Sequence, residues 1–313
     1  MKLVMVNDCA FVGETLLKYM PPDIEKTHIK RGRGLWSKTF GLSYRILRAK
    51  GDIFHAHYLL QDCYIASRLR KTPLIGQAHG SDVRTSLDHP LWGRIVRHNL
   101  KNCTKVLVST PDILSRAREI REDAQYLPNP VDSQFFYPKP LMSHERRKKV
   151  LIASDSNWTV KGTDVAIRAL GKIKDQVEVS IIEYGRDYQK TVNLASSLGL
   201  GLRKLPKVKH EELNEYYWMS DVVIDRFTLG SLGMVSLEAI ACGRPAIAYV
   251  SSEYDEYKDF PLKDVRSEED ATASVLQADS ELWGRQIDYL EKEHNVHAVV
   301  RKLFEIYNEA RES

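Results

Sequence analysis

The chain has 313 residues, 43% hydrophobic and 28% charged, with a net charge of only +4. This is the balance of a globular protein long enough to bury a substantial core, as one large domain or two of ordinary size. Cys9, Cys63, Cys103 and Cys242 stand apart from one another, with no CxxC pair and no histidine at ligand spacing. That pattern excludes a disulfide frame and a zinc site and reads as buried thiols of a reducing compartment.

KLVMV opens the chain as a short strand. Its apolar run is too short for a signal peptide, and no later stretch reaches spanning length, so the expected location is the cytoplasm. Residues 26–50, KTHIKRGRGLWSKTFGLSYRILRAK, hold eight Lys or Arg and no acid, with Leu35, Trp36, Phe40, Leu42, Ile46 and Leu47 interspersed. Two readings stand: a helix packed on the first sheet with a solvated basic side, or a segment that docks on an anionic membrane surface. In the second, each basic side chain adds on the order of 1 kcal/mol. Nucleic acid is disfavoured, because no recognised binding module accompanies the charge.

Strands follow at IFHAHY (53–58), PLIGQAH (73–79) and KVLVS (105–109), then a helix through Arg116 and the segment AQYLPNPVD. FFYPKPLMSHERRKK (135–149) has two prolines, a basic cluster and no periodicity, which marks a linker. The rhythm then restarts: KKVLIAS (148–154), a helix from Gly162, VEVSIIEYG (177–185), a helix, the short LRKLPKV, a helix, DVVID (221–225), a helix from Gly233, and PAIAYV (245–250). One long helix, from about Trp283 to Glu309, closes the chain. Strands alternating with helices predict parallel sheets covered on both faces. Two such series predict two doubly wound domains, residues 1–140 and 141–313, with ligands at the carboxyl ends of the strands.

The segment FTLGSLGMVSLEAIACGRPAIAY (227–249) is the most informative. Gly230 and Gly233 let the backbone approach a ligand, and the free N–H groups of a helix starting at Met234 favour an anion such as a phosphate. Glu238, an acceptor only, suits a pair of ribose hydroxyls. The competing reading is a tight turn with a solvated glutamate.

Four stretches resemble the retaining glycosyltransferases of the GT-B fold, family 4, also called group 1. They are IFHAHY with QAHGSDVR, YLPNPVDSQFFYP, VKGTDVAIRAL and GMVSLEAIACGRPAIA, in the family's order. The resemblance implies two Rossmann-like domains facing a central cleft. The first binds the acceptor and the second a nucleotide-diphosphate sugar, and the last helix, about 295–313, packs back on the first. It implies a hexosyltransferase that keeps the anomeric configuration and needs no cofactor beyond its donor substrate. The lack of a DxD motif predicts no bound metal, and the basic stretch 26–50 points to a glycan or lipid-linked acceptor presented at the inner membrane face. Two positions depart from the family pattern: Gly230 stands where a first glutamate is usual, and Asp155 where an arginine is usual. A subgroup that resembles SDSNWTVKGTD and VVIDRFTLGSLGMVSLEA lacks that glutamate natively. The alternatives are a non-catalytic nucleotide-sugar-binding scaffold and a GT-B sugar-nucleotide epimerase.

By the same resemblance His79 contacts the transferred sugar, against the competing reading of a core histidine. Lys161 and Gly162 hold the donor diphosphate together with Gly230, Ser231, Leu232, Gly233, Met234 and Val235, and Glu238 holds the ribose. Arg226 is assigned as a replacement phosphate contact, and Val208 and Lys209 lie where the base would rest. In the first domain Gly13 admits a phosphate, and Arg84 faces either the diphosphate or solvent. Asp82 orders the turn or caps a helix. No residue is assigned to a metal.

Overall fold

The computed structural model describes residues 1–32, 34, 36, 40–140 and 147–312. Leu35 and residues 33 and 37–39 of the basic stretch, and 141–146 of the expected linker, lie outside the described residues. The chain forms two compact α/β units, Met1–Pro130 with Glu293–Ser313, and Val131–Lys292.

In the first unit the short Val/Ile-rich runs form strands β1 (Lys2–Val6), β2 (Glu25–Ile29), β3 (Ile53–His57), β4 (Leu74–Ala78), β5 (Lys105–Val108) and β6 (Gln125–Tyr126). They make one parallel sheet in the order β2-β1-β3-β4-β5-β6. Alternation along each strand sorts side chains to two faces. Val4, Val6, Phe54, Ala56, Val106 and Val108 pack with Leu42, Ile46, Cys63, Ala66, Val96 and Leu100 from the helices on one side. Each such buried aliphatic side chain contributes roughly 1.5–3 kcal/mol. The opposite face carries Met5, His55 and His57, all fully buried, and Tyr307 of the last helix reaches His55 there.

The second unit repeats the scheme with β7 (Lys148–Ile152), β8 (Val177–Ile182), β9 (Leu202–Leu205), β10 (Val222–Ile224) and β11 (Ala246–Ile247), in the order β11-β10-β7-β8-β9 and all parallel. Strand order reverses between β1 and β3 in one unit and between β7 and β10 in the other. Such switch points open a crevice beyond the strand ends.

Three expectations need correction. The basic stretch begins as strand β2, not as helix. EKTHI is an edge strand, buried only at Ile29, and it carries the charged residues that edges favour in place of an apolar run. Further along, the stretch carries the helix Leu42–Arg48. The division between units falls at Pro130/Val131 rather than at 140/141, because Val131 and Phe136 are buried in the second core and Trp218 Nε1 donates to the Tyr137 carbonyl. The last long helix is two helices, Ser280–Glu293 and Val296–Glu312. Asn295 breaks it: its Oδ1 accepts from the backbone N–H groups of His297 (3.0 Å) and Ala298 (3.3 Å), which caps a new helix. That second helix belongs to the first unit and contacts the helix Val12–Tyr19.

Candidate functional site

In the second unit, Asp225 follows β10 and is fully buried at its side chain. Lys161 Nζ lies 3.6 Å from its Oδ1 and Arg226 Nε 3.4 Å from its Oδ2. Ser236 Oγ donates to Oδ2 at 2.9 Å, and Ser154 Oγ donates to the Asp225 carbonyl at 2.9 Å. Burial alone would raise the Asp225 pKa, but Arg226 and Lys161 outweigh it and hold the carboxyl below its usual range. Burial pulls the Lys161 ammonium below its ordinary value, with Asp225 opposing. Two cations therefore share one carboxylate beside the helix Met234–Ala241, whose first N–H groups add positive potential.

Glycine is required twice in this cluster. At Gly233 an added Cβ would meet Arg226 Nη2 and Asp225 Oδ2, each at 2.2 Å. At Gly230 the backbone is left-handed (φ 63°), and a Cβ would lie 3.1 Å from Ser251 Cβ and 3.2 Å from the Tyr249 ring. Gly162, also left-handed (φ 65°), joins the short helix Trp158–Lys161 to Thr163–Lys172. Lys161 thus ends one helix, where the sequence placed it at the start of another. Ser231 and Leu232 are buried. The Leu232 N–H donates to Tyr257 OH at 3.1 Å, and Ser231 Oγ has no partner among the described residues. Met234 and Val235 are half-buried in the first helical turn. Asp155, at the position of the family arginine, is half-buried after β7 and adds a negative charge near Lys161.

Glu238 is not the open carboxylate that the sequence suggests. His210 Nε2 stands 2.6 Å from Oε1, Tyr217 OH donates to Oε2 at 2.9 Å, and the side chain is 2% exposed. Burial opposes charge on His210, yet Glu238, Glu211 and Asp132 outweigh it and raise the imidazole pKa above its ordinary value. A ribose would share this carboxylate with His210 or displace it. Val208 is half-buried, and the exposed Lys209 donates its N–H to Glu212 Oε2 at 3.2 Å in the loop after β9. His210 and Tyr217 were missed because no local pattern announces a partner 28 or 21 residues away.

In the first unit the residues after β1, β3, β4 and β5 meet at the strand ends. Asn7, Ala10, Phe11 and Tyr58 all have positive φ there, backbone strain of the kind that collects at functional sites. His79, half-buried, engages His57 Nδ1 through Nε2 at 2.8 Å and Ser109 Oγ through Nδ1 at 3.1 Å. Burial holds its pKa down to about 3, so the ring is neutral. Both ring nitrogens face protein, a correction to the reading in which one is offered to a sugar hydroxyl. Asp82 orders its turn as expected: its buried carboxylate accepts from the N–H groups of Leu59 (2.9 Å), His79 (3.2 Å), Gly80 (3.0 Å) and Val83 (3.1 Å).

Gly13 and Arg84 also differ from expectation. The Gly13 N–H donates to Asp8 Oδ1 at 2.8 Å and the Glu14 N–H to Asp8 Oδ2 at 3.0 Å, so a carboxylate already occupies the place of an incoming phosphate. Arg84 is held by Asp112, with Nε 2.8 Å from Oδ2, and its side chain is 26% exposed. His57, Ser109 and Gln77 escaped the sequence reading, although the alternation in IFHAHY puts both of its histidines on one sheet face.

The family described as "Glycosyltransferase Family 4" matches residues 19–135, and "Glycosyl transferases group 1" matches residues 135–258. The chain is 23% identical over 212 residues to N-acetyl-alpha-D-glucosaminyl L-malate synthase of Bacillus anthracis, a match covering 63% of this chain and 56% of that relative. The matched region thus spans little more than half the length of that relative. Among solved structures, Anabaena Alr3699/HepE in complex with UDP and glucose aligns with a TM-score of 0.76 at 13% identity, over 98% of this chain and 99% of that one. Sucrose-phosphate synthase from Thermosynechococcus elongatus aligns with a TM-score of 0.74 at 16% identity, over 99% and 98% of the two chains. Both support a GT-B fold for the two parallel-sheet units. With consecutive matches to both halves of the family, the chain belongs to the family 4, group 1, glycosyltransferases.

Proposed function

We propose that this protein transfers a hexose-type sugar from a nucleoside diphosphate to an acceptor hydroxyl with retention of anomeric configuration and without a metal. The observation that carries this reading is the convergence of Lys161 and Arg226 on one carboxylate beside the start of the helix Met234–Ala241. Lys161, Arg226 and a helix N-terminus meet Asp225, with Asp155 near Lys161, and the groups of positive potential are gathered where a diphosphate would be held. As the glycosidic bond breaks, negative charge grows on the leaving diphosphate, and these fixed groups stabilise it without reorganising. Arg226 Nε and Ser231 Oγ are buried without hydrogen-bond partners among the described residues, as expected of groups that await a ligand. Both UDP and glucose accompany the Anabaena relative, which favours a nucleotide-sugar donor here.

The proposed acceptor is a glycan or lipid-linked molecule presented at an anionic membrane. Trp36, Phe40, Tyr44 and Leu47 are 77%, 68%, 61% and 55% exposed, at near-helical spacing, and Arg45 and Arg48 lie among them. Exposed aromatics with interspersed cations suit a headgroup layer. No helix among the described residues is long and apolar enough to cross a membrane.

A thermal-shift panel of nucleosides, nucleoside diphosphates and nucleotide sugars tests the donor site. Stabilisation by a diphosphate, with transfer to an added acceptor that is lost in Lys161→Ala, is the expected result. Stabilisation without transfer would favour a binding scaffold, and no stabilisation by any diphosphate would overturn the donor site. Cosedimentation with anionic and neutral liposomes tests the surface: equal binding to both, or to neither, removes it from the proposal.

A further inference from the structure

Of the histidines of the first unit, His57 and His79 share one hydrogen-bonded chain with Gln77 and Ser109, and His55 lies beside it. Register pairs His57 with Gln77 across β3 and β4, and His55 lies two residues earlier on the same face. Tyr307 OH lies 2.6 Å from His55 Nδ1. His55 Nε2 and Gln77 Oε1 are buried and have no hydrogen-bond partner among the described residues, so the run of bonds is broken between these two side chains. Gln77 Nε2 lies 2.9 Å from Ser109 Oγ, and Ser109 Oγ 3.1 Å from His79 Nδ1. His79 Nε2 is 2.8 Å from His57 Nδ1, and His57 Nε2 is 2.9 Å from Met5 Sδ.

A neutral imidazole has one N–H and one acceptor nitrogen, so the direction of each link dictates the next. In the forward pattern Gln77 donates to Ser109, Ser109 to His79, His79 to His57, and His57 toward Met5. In the reverse pattern His57 donates to His79 and His79 to Ser109, whose hydroxyl oxygen can accept from Gln77 as well. The two differ at one end. A thioether has no proton, so the reverse pattern would hold the bare lone pair of His57 Nε2 against the sulfur lone pairs at 2.9 Å. The forward pattern makes that contact an N–H···S hydrogen bond.

We propose that Met5 sets the direction of this chain, so that His57 and His79 carry their proton on Nε2, with Gln77 and Ser109 acting as positioning residues for His79. The dipole that His79 presents at the strand ends is then selected by a sulfur two side chains away. The catalytic consequence rests on the transferase reading above, and the tautomers themselves do not.

Long-range 15N–1H correlation spectra of the full-length, histidine-labelled protein, assigned with His79→Gln, read each tautomer directly. The wild type is expected to show Nδ1 unprotonated and Nε2 protonated in His57 and His79. Met5→Leu, which nearly conserves volume, is expected to give mixed tautomers at His57 and His79. A wild-type His79 protonated on Nδ1, or unchanged tautomers in Met5→Leu, would overturn the proposal. Where transfer is measured, Met5→Leu should slow it by about tenfold, the equivalent of one misdirected hydrogen bond, with nucleoside-diphosphate affinity unchanged. A wild type that transfers nothing would sink the transferase reading while the spectra still judge the tautomers.

Discussion

The imidazole of His210 stands 2.6 Å from Oε1 of Glu238, and the glutamate side chain is 2% exposed. Because the folded protein raises the His210 pKa above its ordinary 6.5, the pair contributes stability that is fully present below about pH 6.5 and is lost as pH rises through the folded pKa. The melting-temperature difference between wild type and His210→Gln, measured from pH 5.5 to 9 by ~0.5-unit steps, should be largest at the acid end and shrink upward. A difference that grows with pH would refute a charged pair. At the acid end the variant leaves Glu238 with Tyr217 alone, at a cost on the order of 3 kcal/mol.

Arg226 is the cation that the sequence offers in place of the absent family arginine, and its Nε lies 3.4 Å from Asp225 Oδ2. Arg226→Ala should weaken nucleoside-diphosphate binding by about 10- to 100-fold, or roughly 1.4–3 kcal/mol for a lost charged hydrogen bond. Isothermal titration measures this. The loss should shrink in high salt less than for an exposed charge, because the guanidinium is only 14% exposed. Unchanged affinity would remove Arg226 from the donor site.

Replacing Gly230 with glutamate, the usual family residue, should not improve the protein. The left-handed backbone costs a non-glycine residue roughly 1–2 kcal/mol, and the new Cβ presses on Ser251 and the Tyr249 ring. Urea denaturation should show a loss of at least that size, with no gain in transfer. A stable Gly230→Glu variant with raised activity would mean that the loop readily adopts another conformation.

Asp82 ties the ends of β3 and β4 together by accepting from four backbone N–H groups. Asp82→Ala leaves several buried donors without an acceptor, at a cost on the order of 3–5 kcal/mol. Asp82→Asn, which keeps one oxygen but turns donors on the rest, should recover only part. Calorimetric melting of both variants gives the ranking, and an alanine variant as stable as wild type would show that water satisfies the turn.

Much of this architecture is written locally in the chain. Short Val- and Ile-rich runs such as KLVMV, IFHAHY and VEVSII, set between helical stretches, were enough for two parallel sheets, because strands buried on both faces need apolar side chains on each. The glycines around Met234 and the lysine before Gly162 were legible for the same reason: backbone that must turn sharply leaves its mark at the residue that turns. Edge strand β2 was not legible, since an edge needs charge more than an apolar run.

Packing in three dimensions settled which side chains are free and which are already engaged. Asp8 fills the N–H groups at Gly13, Asp112 holds Arg84, and His210 with Tyr217 closes on Glu238. Each partner comes from another turn or strand end, and no spacing rule connects them. The same holds for Asn295, which ends one helix and starts another, and for Met5, whose sulfur reaches a histidine 52 residues away. Local sequence sets what each residue can donate or accept. Only the packed sheet brings a given donor within reach of a given acceptor, because that meeting depends on strand order and register rather than on distance along the chain.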